Sequence, residues 1–244
     1  MSELRVLPVS GLPEVGAGMA VGELIAAAAT LADGDVVVIS QKIVSKAEGR
    51  IRRLAAEIPS AEARKLAAVL GKEPALVELI LEESAEVLRA ERGVLIVETK
   101  HGFICANAGI DSSNLPEEGT VALLPEDPDG SARRIRAEIG PTVGVVIADS
   151  FGRAWRLGQS EVAIGCAGLE PLDDWRGRAD ADGRELGATI IAIADEAASA
   201  ADLVRDKASR VPAAIIRGLD RHVTAEDGPG AAALRRPRDE DFFR

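Results

Sequence analysis

The stretch Val143–Gln159, VGVVIADSFGRAWRLGQ, constrains this chain most. Val143, Val145, Val146 and Ile147 form a β-branched run of the kind a buried strand requires. The run then changes character: Asp149 and Ser150 are read as ending the strand, and Gly152 and Gly158 permit tight backbone paths. Arg153, Trp155 and Arg156 place two guanidinium groups around an indole. An acid and a hydroxyl at a strand's end are hard oxygen donors suited to Mg²⁺ or Mn²⁺, and the arginines suit phosphate or carboxylate. A plain strand, surface loop and solvated arginine pair account for the same letters.

Composition narrows the function classes. The 244 residues carry a formal net charge of −11, so the long-range field opposes nucleic acid and anionic membranes. Aromatics make up 2% with no Tyr, which leaves few stacking platforms for bases and a core of Ala, Val, Ile and Leu. Cys105 and Cys166 lie in no metal or redox spacing and read as buried small hydrophobes in a reducing compartment. No run of 18 apolar residues occurs, and the expected location is the cytoplasm.

Further strand-end loops collect polar groups. Val36–Ile39 is a second buried strand, and Gln41, Lys42, Ser45 and Lys46 follow it directly. Lys42 and Lys46, four apart, also fit one solvated helical turn. A strand at His101–Cys105 leads to Asp111 and Asn114, which are either turn chemistry or half of an oxygen site that Asp149 would complete. Strands are also expected at Leu4–Val9, Thr120–Leu124, Glu161–Ala167 and Pro212–Ile216, with a hairpin of Val87–Ala90 and Gly93–Thr99. Helices are expected at Gly22–Leu31, Ala61–Leu70, Pro74–Glu83, in a basic segment capped by Ser131, and over most of Leu186–Asp206. The Gly- and Asp-rich connection 173–187 reads as mobile. The pattern is a mixed α/β protein, one functional unit over 1–244, with two lobes joined near that connection as an option.

Lys46, Asp111 with Asn114, and Asp149 with Ser150 could together organise one or two divalent cations and a triphosphate. No GxxxxGK[ST] and no strand-linked GxGxxG occurs, and neither His101 nor His222 adjoins a nucleophile. Six ordered segments, GLPEV, QKIVSKAEGR, GIDSSN, LLPEDPDGSAR, ADSFGRAWRLGQSEVAIGCAGLEPL and RPRDEDFF, resemble the coenzyme F-420-0:L-glutamate ligase family from Gly11 to Phe243.

The resemblance implies a GTP- and Mg²⁺- or Mn²⁺-dependent ligase. It would add L-glutamate to the carboxylate of the deazaflavin precursor coenzyme F-420-0 and extend it through γ-linkages, by way of an acyl phosphate. It also implies an intertwined, two-lobed homodimer with the nucleotide in a cleft. Leu12, Pro13, Glu14, Val15, Gln41, Lys46 and Asn114 match GTP-contact positions. Asp111, Asp149 and Ser150 match metal positions, with Ser150 where Thr is frequent. Lys46 and Asp149 are the expected catalytic residues. Arg153 and Arg156 are candidates for substrate phosphodiester or carboxylate on charge and placement alone. Many members carry Met-Gly-Gln before the last strand, the Gln assisting a metal. Here the run is Arg205-Asp206-Lys207, and lysine cannot coordinate a hard cation. A ligase acting on another acidic acceptor, or a GTP- and metal-binding sensor, fits the same loops.

Overall fold

The computed structural model describes residues 3–140, 142–206 and 208–242. Its centre is a mixed five-stranded sheet. In chain order its strands are β1 (Arg5–Val9), β2 (Val36–Ser40), β8 (Gly144–Arg153), β9 (Arg156–Ala167) and β12 (Ala213–Arg217). Across the sheet they run β1, β12, β2, β8, β9. β2 and β8 are parallel, with Val36 opposite Gly144 and Ser40 opposite Ala148, and the other pairings are antiparallel.

Side-chain alternation explains why the two valine-rich runs sit at the middle of the sheet. Val37, Ile39, Val145 and Ile147 enter one core, and Val36, Val38, Val146 and Ala148 enter the other. Both faces are covered, so neither set of alternate positions can be polar. The first face carries helix α1 (Val21–Ala28) and helix α5 (Pro128–Ile139). The second carries α6 (Ile193–Asp202), which presents Ala194, Ala197, Ala198 and Ala201 to the sheet. Alanines let a helix lie close on a sheet of small residues. α5 approaches β9 at Gly165, where a Cβ would stand 2.3 Å from the Pro128 carbonyl oxygen.

Residues between β2 and α5 add a smaller assembly. Helix α2 (Gln41–Ala47) follows β2 without a loop, and β3 (Ile51–Arg53) pairs with β7 (Thr120–Ala122). Helices α3 (Ala61–Leu70) and α4 (Pro74–Glu82) pack with the sheet β4 (Ser84–Glu91), β5 (Val94–Thr99), β6 (Ile104–Ala106) around Ala67, Val77, Ile80 and Val97. Arg92 and Gly93 turn β4 into β5, both at positive φ as a tight right-twisted hairpin demands. Among the described residues no helix is long and apolar enough to cross a membrane.

The mixed α/β expectation matches this architecture, and several local expectations change. β8 continues through Asp149 and Ser150 to Arg153, because β9 pairs with it beyond the apolar run: Ser150 faces Glu161 and Phe151 faces Ser160. The helix expected over Leu186–Asp206 is confined to α6. Ile190–Ile191, β-branched and preceded by Thr189, forms β11 opposite β10 (Asp173–Asp174). The intervening segment is a hydrogen-bonded ribbon, in which Trp175 and Gly177 donate to the carbonyls of Thr189 and Leu186. α5 is capped by Asp127, whose carboxylate accepts from Gly130, with Pro128 at the first turn. Ser131 instead lies buried inside it, its hydroxyl 2.5 Å from Glu48. The strand expected at His101–Cys105 starts at Ile104, since Gly102 at φ 86 turns the chain between β5 and β6.

Candidate functional site

Where β2 and β8 end side by side, the chain opens a cavity of about 700 Å³. Carboxyl ends of adjacent parallel strands are a common place for a ligand, because the backbone diverges there over a rigid base. Four separate segments supply the wall on this side: Leu12–Val15, α2, Asp111–Pro116 without Ser112, and the pair Asp149 and Ser150. The far wall comes from Asp202 at the end of α6, from Arg205 and Asp206, and from Arg210–Pro212.

The cavity brings together every residue that the sequence pointed to except two. Leu12, Pro13, Glu14, Val15, Gln41, Lys46, Asp111, Asn114, Asp149 and Ser150 all line it. Arg153 and Arg156 do not. They pair across the tip of the β8–β9 hairpin, and the Arg153 guanidinium donates to the Leu157 carbonyl at 2.8 Å. Asp206 also lines the cavity, with its carboxylate accepting from the Ala208 amide at 2.8 Å, and Lys207 lies outside the described residues.

α2 organises the near wall. Lys46, 9% exposed, donates to the Glu14 carboxylate at 2.5 Å and to the Asn114 carbonyl at 3.2 Å. Lys42, whose spacing from Lys46 also fits a solvated turn, reaches the Asp111 carboxylate at 2.7 Å and the carbonyl and hydroxyl of Ser113. The i,i+4 spacing therefore aims two ammonium groups into one cavity rather than into solvent. Gln41, buried beneath them, accepts from the Ser45 hydroxyl at 2.8 Å.

Consecutive strand residues point to opposite faces, so Asp149 and Ser150 serve different neighbours. The Ser150 hydroxyl donates to Glu161 at 2.5 Å across the hairpin. Glu161 is buried and paired at 3.2 Å with Arg205, which is also buried. Burial pushes the Asp149 carboxyl up, and repulsion from Glu161 and then Asp111 carries it to about 7, against a backbone hydrogen bond from Ser150 and the attraction of Lys42. Burial also acts to raise Asp111, but hydrogen bonds from Lys42 and Ser113 outweigh it and hold that carboxyl below its usual range. Cys105 is pushed up to about 12 by burial and by Asp149, as an inert core thiol should be.

These residues fit a hard divalent cation of the kind that phosphates help to hold. A cation would relieve the crowding by Glu161 and Asp111 that holds Asp149 back from ionising, and Asp111, Asp149 and the Ser150 hydroxyl offer only oxygen donors. Among the described residues no three His, Cys, Asp or Glu side chains close into a cage. Mg²⁺ is ordinarily held by one or two carboxylates with substrate phosphates and waters rather than by such cages.

The profile of the F420-0:Gamma-glutamyl ligase family matches residues 11–218. The chain belongs to that family. It is 46% identical to the coenzyme F420:L-glutamate ligase of Methanothermobacter thermautotrophicus, with 99% of each chain covered. Identity to the enzyme of the same name from Methanopyrus kandleri is 45%, over 99% of this chain and 98% of that one. For Archaeoglobus fulgidus it is 43%, over 99% and 96%. Family membership therefore spans both walls of the cavity, since the matched residues run from Gly11 to Gly218.

Sequence reasoning missed Glu161 and its pairing with Arg205, and left Lys42 open between a polar strand-end loop and a solvated turn. Glu161 carried a usable signal, as the one acid beginning an otherwise apolar or small run to Ala167. Its effect on Asp149 can be measured. A ¹³C NMR titration of the metal-free protein should find the Asp149 carboxyl raised to about 7 and the Glu161→Gln midpoint lower; an unmoved midpoint contradicts the coupling. The sign for stability follows. A carboxyl raised from 3.8 to about 7 contributes fully below pH 3.8, and that contribution is lost as pH rises through about 7.

Proposed function

We propose that the protein is a GTP- and divalent-cation-dependent ligase joining L-glutamate to the carboxylate of the deazaflavin precursor coenzyme F420-0, then extending the chain through γ-glutamyl linkages. One observation carries this reading: the family match extends over every segment that builds the cavity, and that cavity is equipped for a polyanion. Three curated relatives named for this ligation share 43–46% of their residues with the chain over nearly all of its length.

Amide formation from a carboxylate needs a leaving group in place of oxide. In the proposed sequence an oxygen of the precursor's carboxylate attacks the γ-phosphorus of GTP, and the bond to the β-phosphate oxygen breaks. GDP leaves and an acyl phosphate remains. The glutamate amine then attacks the acyl carbon, the C–O bond to phosphate breaks, and the nitrogen loses a proton. Both reactants of the first step are anionic, so the protein must offset repulsion and fix an in-line approach.

Lys42 and Lys46 supply the fixed positive charge on the near wall. Their present partners, Asp111 and Glu14, are carboxylates that hold the ammonium groups in place for a phosphate to meet. The Asn114 backbone, at φ 53, and Leu12–Val15 give the nucleotide a shaped bed. Asp111, Asp149 and Ser150 would hold Mg²⁺ or Mn²⁺, which supplies charge neutralisation at phosphate oxygens. Ser150 is oriented by Glu161, and Glu161 is neutralised by Arg205, so the hydroxyl's aim depends on a buried ion pair behind it.

The working form is proposed to be a homodimer. The tip of the β8–β9 arm leaves Trp155 81% and Leu157 97% exposed, apolar surface that a second copy could cover. Light scattering in solution should give twice the 25.5 kDa chain mass, and a monomer under assay conditions would refute this.

The ligase reading is tested by mass spectrometry of the precursor after incubation with protein, L-glutamate, GTP and Mn²⁺. Mass gains in glutamyl steps should disappear with ATP in place of GTP or after chelation. Asp149→Asn should lower the rate by at least roughly 100-fold while leaving the melting transition intact. Retained wild-type turnover would remove Asp149 from the mechanism, and no mass gain with GTP still hydrolysed would favour another acidic acceptor.

A further inference from the structure

The far wall of the cavity differs in charge from the near wall. On the near wall both ammonium groups are already paired with carboxylates, and on the far wall Arg205 is paired with Glu161. On the far wall two oppositely charged side chains, Asp202 and Arg210, line the cavity and make no hydrogen bond or ion pair to any described residue. No ion pair joins them, and both face the same cavity, so it presents one charge of each sign that a zwitterion could meet.

Local structure explains why Asp202 is left over. α6 spends its successive polar residues on β9. Asp195 accepts from the Ala163 amide at 2.8 Å, and Ser199 donates to the Glu161 carbonyl at 2.9 Å. Asp202 comes three residues later on the same side of the helix, just past the last of these contacts, where the cavity begins. Arg210 stands on the segment entering β12. That segment is tied down on both sides, by the Asp206 carboxylate on the Ala208 amide and by the Pro212 carbonyl, which accepts from the Ser40 amide at 2.8 Å. Arg210 itself has φ 55, a conformation a non-glycine residue seldom adopts, and this turn directs it to the rim.

We propose that Asp202 and Arg210 form the subsite for the incoming amino acid. Arg210 takes a carboxylate of L-glutamate and Asp202 accepts hydrogen bonds from its amino group, on the opposite wall from the nucleotide. The inference rests on the ligase reading above for the identity of the amino acid, while the zwitterion-binding chemistry rests on the two unpaired groups. A guanidinium and a carboxylate lining one cavity, Arg210 exposed and Asp202 half-buried, favour an α-amino acid over a simple acid or amine, because either of those would engage only one of the two charges. The separation of walls also keeps the amine apart from the triphosphate until an acylated acceptor lies between them.

The test compares wild type with Arg210→Gly and Asp202→Asn. Glycine suits the positive φ at 210, so the first variant removes the guanidinium without straining the turn. Two readouts are taken: L-glutamate binding by calorimetry, and steady-state kinetics with glutamate and GTP varied in turn on the precursor and Mn²⁺. Loss of a charge-assisted contact should weaken glutamate binding and raise its KM by roughly 10- to 100-fold in Arg210→Gly, with KM for GTP within about twofold of wild type. Asp202→Asn should show the same split. A raised KM for GTP with unchanged glutamate binding would overturn the assignment, as would variants that bind glutamate like wild type or a wild type that binds none. Wild type that binds glutamate but forms no glutamyl product would instead count against the ligase reading alone.

Discussion

The parallel pairing of β2 with β8 is the constraint on which the site depends. Ser40 stands opposite Ala148, so the first residues beyond that pair, Gln41 and Asp149, arrive side by side from positions more than a hundred residues apart in sequence. From there the two strands diverge in kind. β2 turns at once into α2, which carries Lys42 and Lys46, and β8 runs on into a hairpin with β9. A single register thus brings ammonium groups, carboxylates and a hydroxyl to one opening. Both faces of the strand pair are sealed by apolar side chains, which fixes that register firmly, since a one-residue slip would exchange the two cores.

Electrostatics at the opening are deliberately unbalanced. Glu161 is stable in the interior because Arg205 pairs with it, yet its charge still reaches Asp149. Breaking such a buried pair leaves an uncompensated charge and costs about 3–5 kcal/mol, so neither partner behind Ser150 can be removed without destabilising the site. In return Ser150 is aimed and Asp149 is kept short of positive charge. A cationic ligand and its anionic companion relieve both conditions, which is why the proposed chemistry and the observed crowding agree.

Much of this was legible in the letters because it depends on short-range pattern. The β-branched runs at Val36–Ile39 and Val143–Ile147 are central strands, and the polar residues directly after them line the cavity. What could not be read was set by pairing at a distance. Asp149 and Ser150 looked like a strand's end because apolar alternation stops there, whereas β9 continues the ladder with polar partners to Arg156. Arg153 and Arg156 looked like ligand groups for the same reason, and the hairpin turns them on its own tip. Lys42 and Lys46 fit a solvated turn until the 111–114 loop and Glu14 are brought over them. Glu161 and Arg205 become a pair only through the packing of α6 against β9, which no local spacing encodes.

In the proposed reaction GTP drives amide formation by phosphorylating the acceptor's carboxylate in this cavity. That step is tested most directly with precursor carrying ¹⁸O in its terminal carboxylate, turned over with GTP, L-glutamate and Mn²⁺, and with the released phosphate analysed by mass. An acyl phosphate transfers one labelled oxygen to inorganic phosphate for each amide bond made. Unlabelled phosphate alongside glutamylated product, or release of pyrophosphate in its place, would contradict the account.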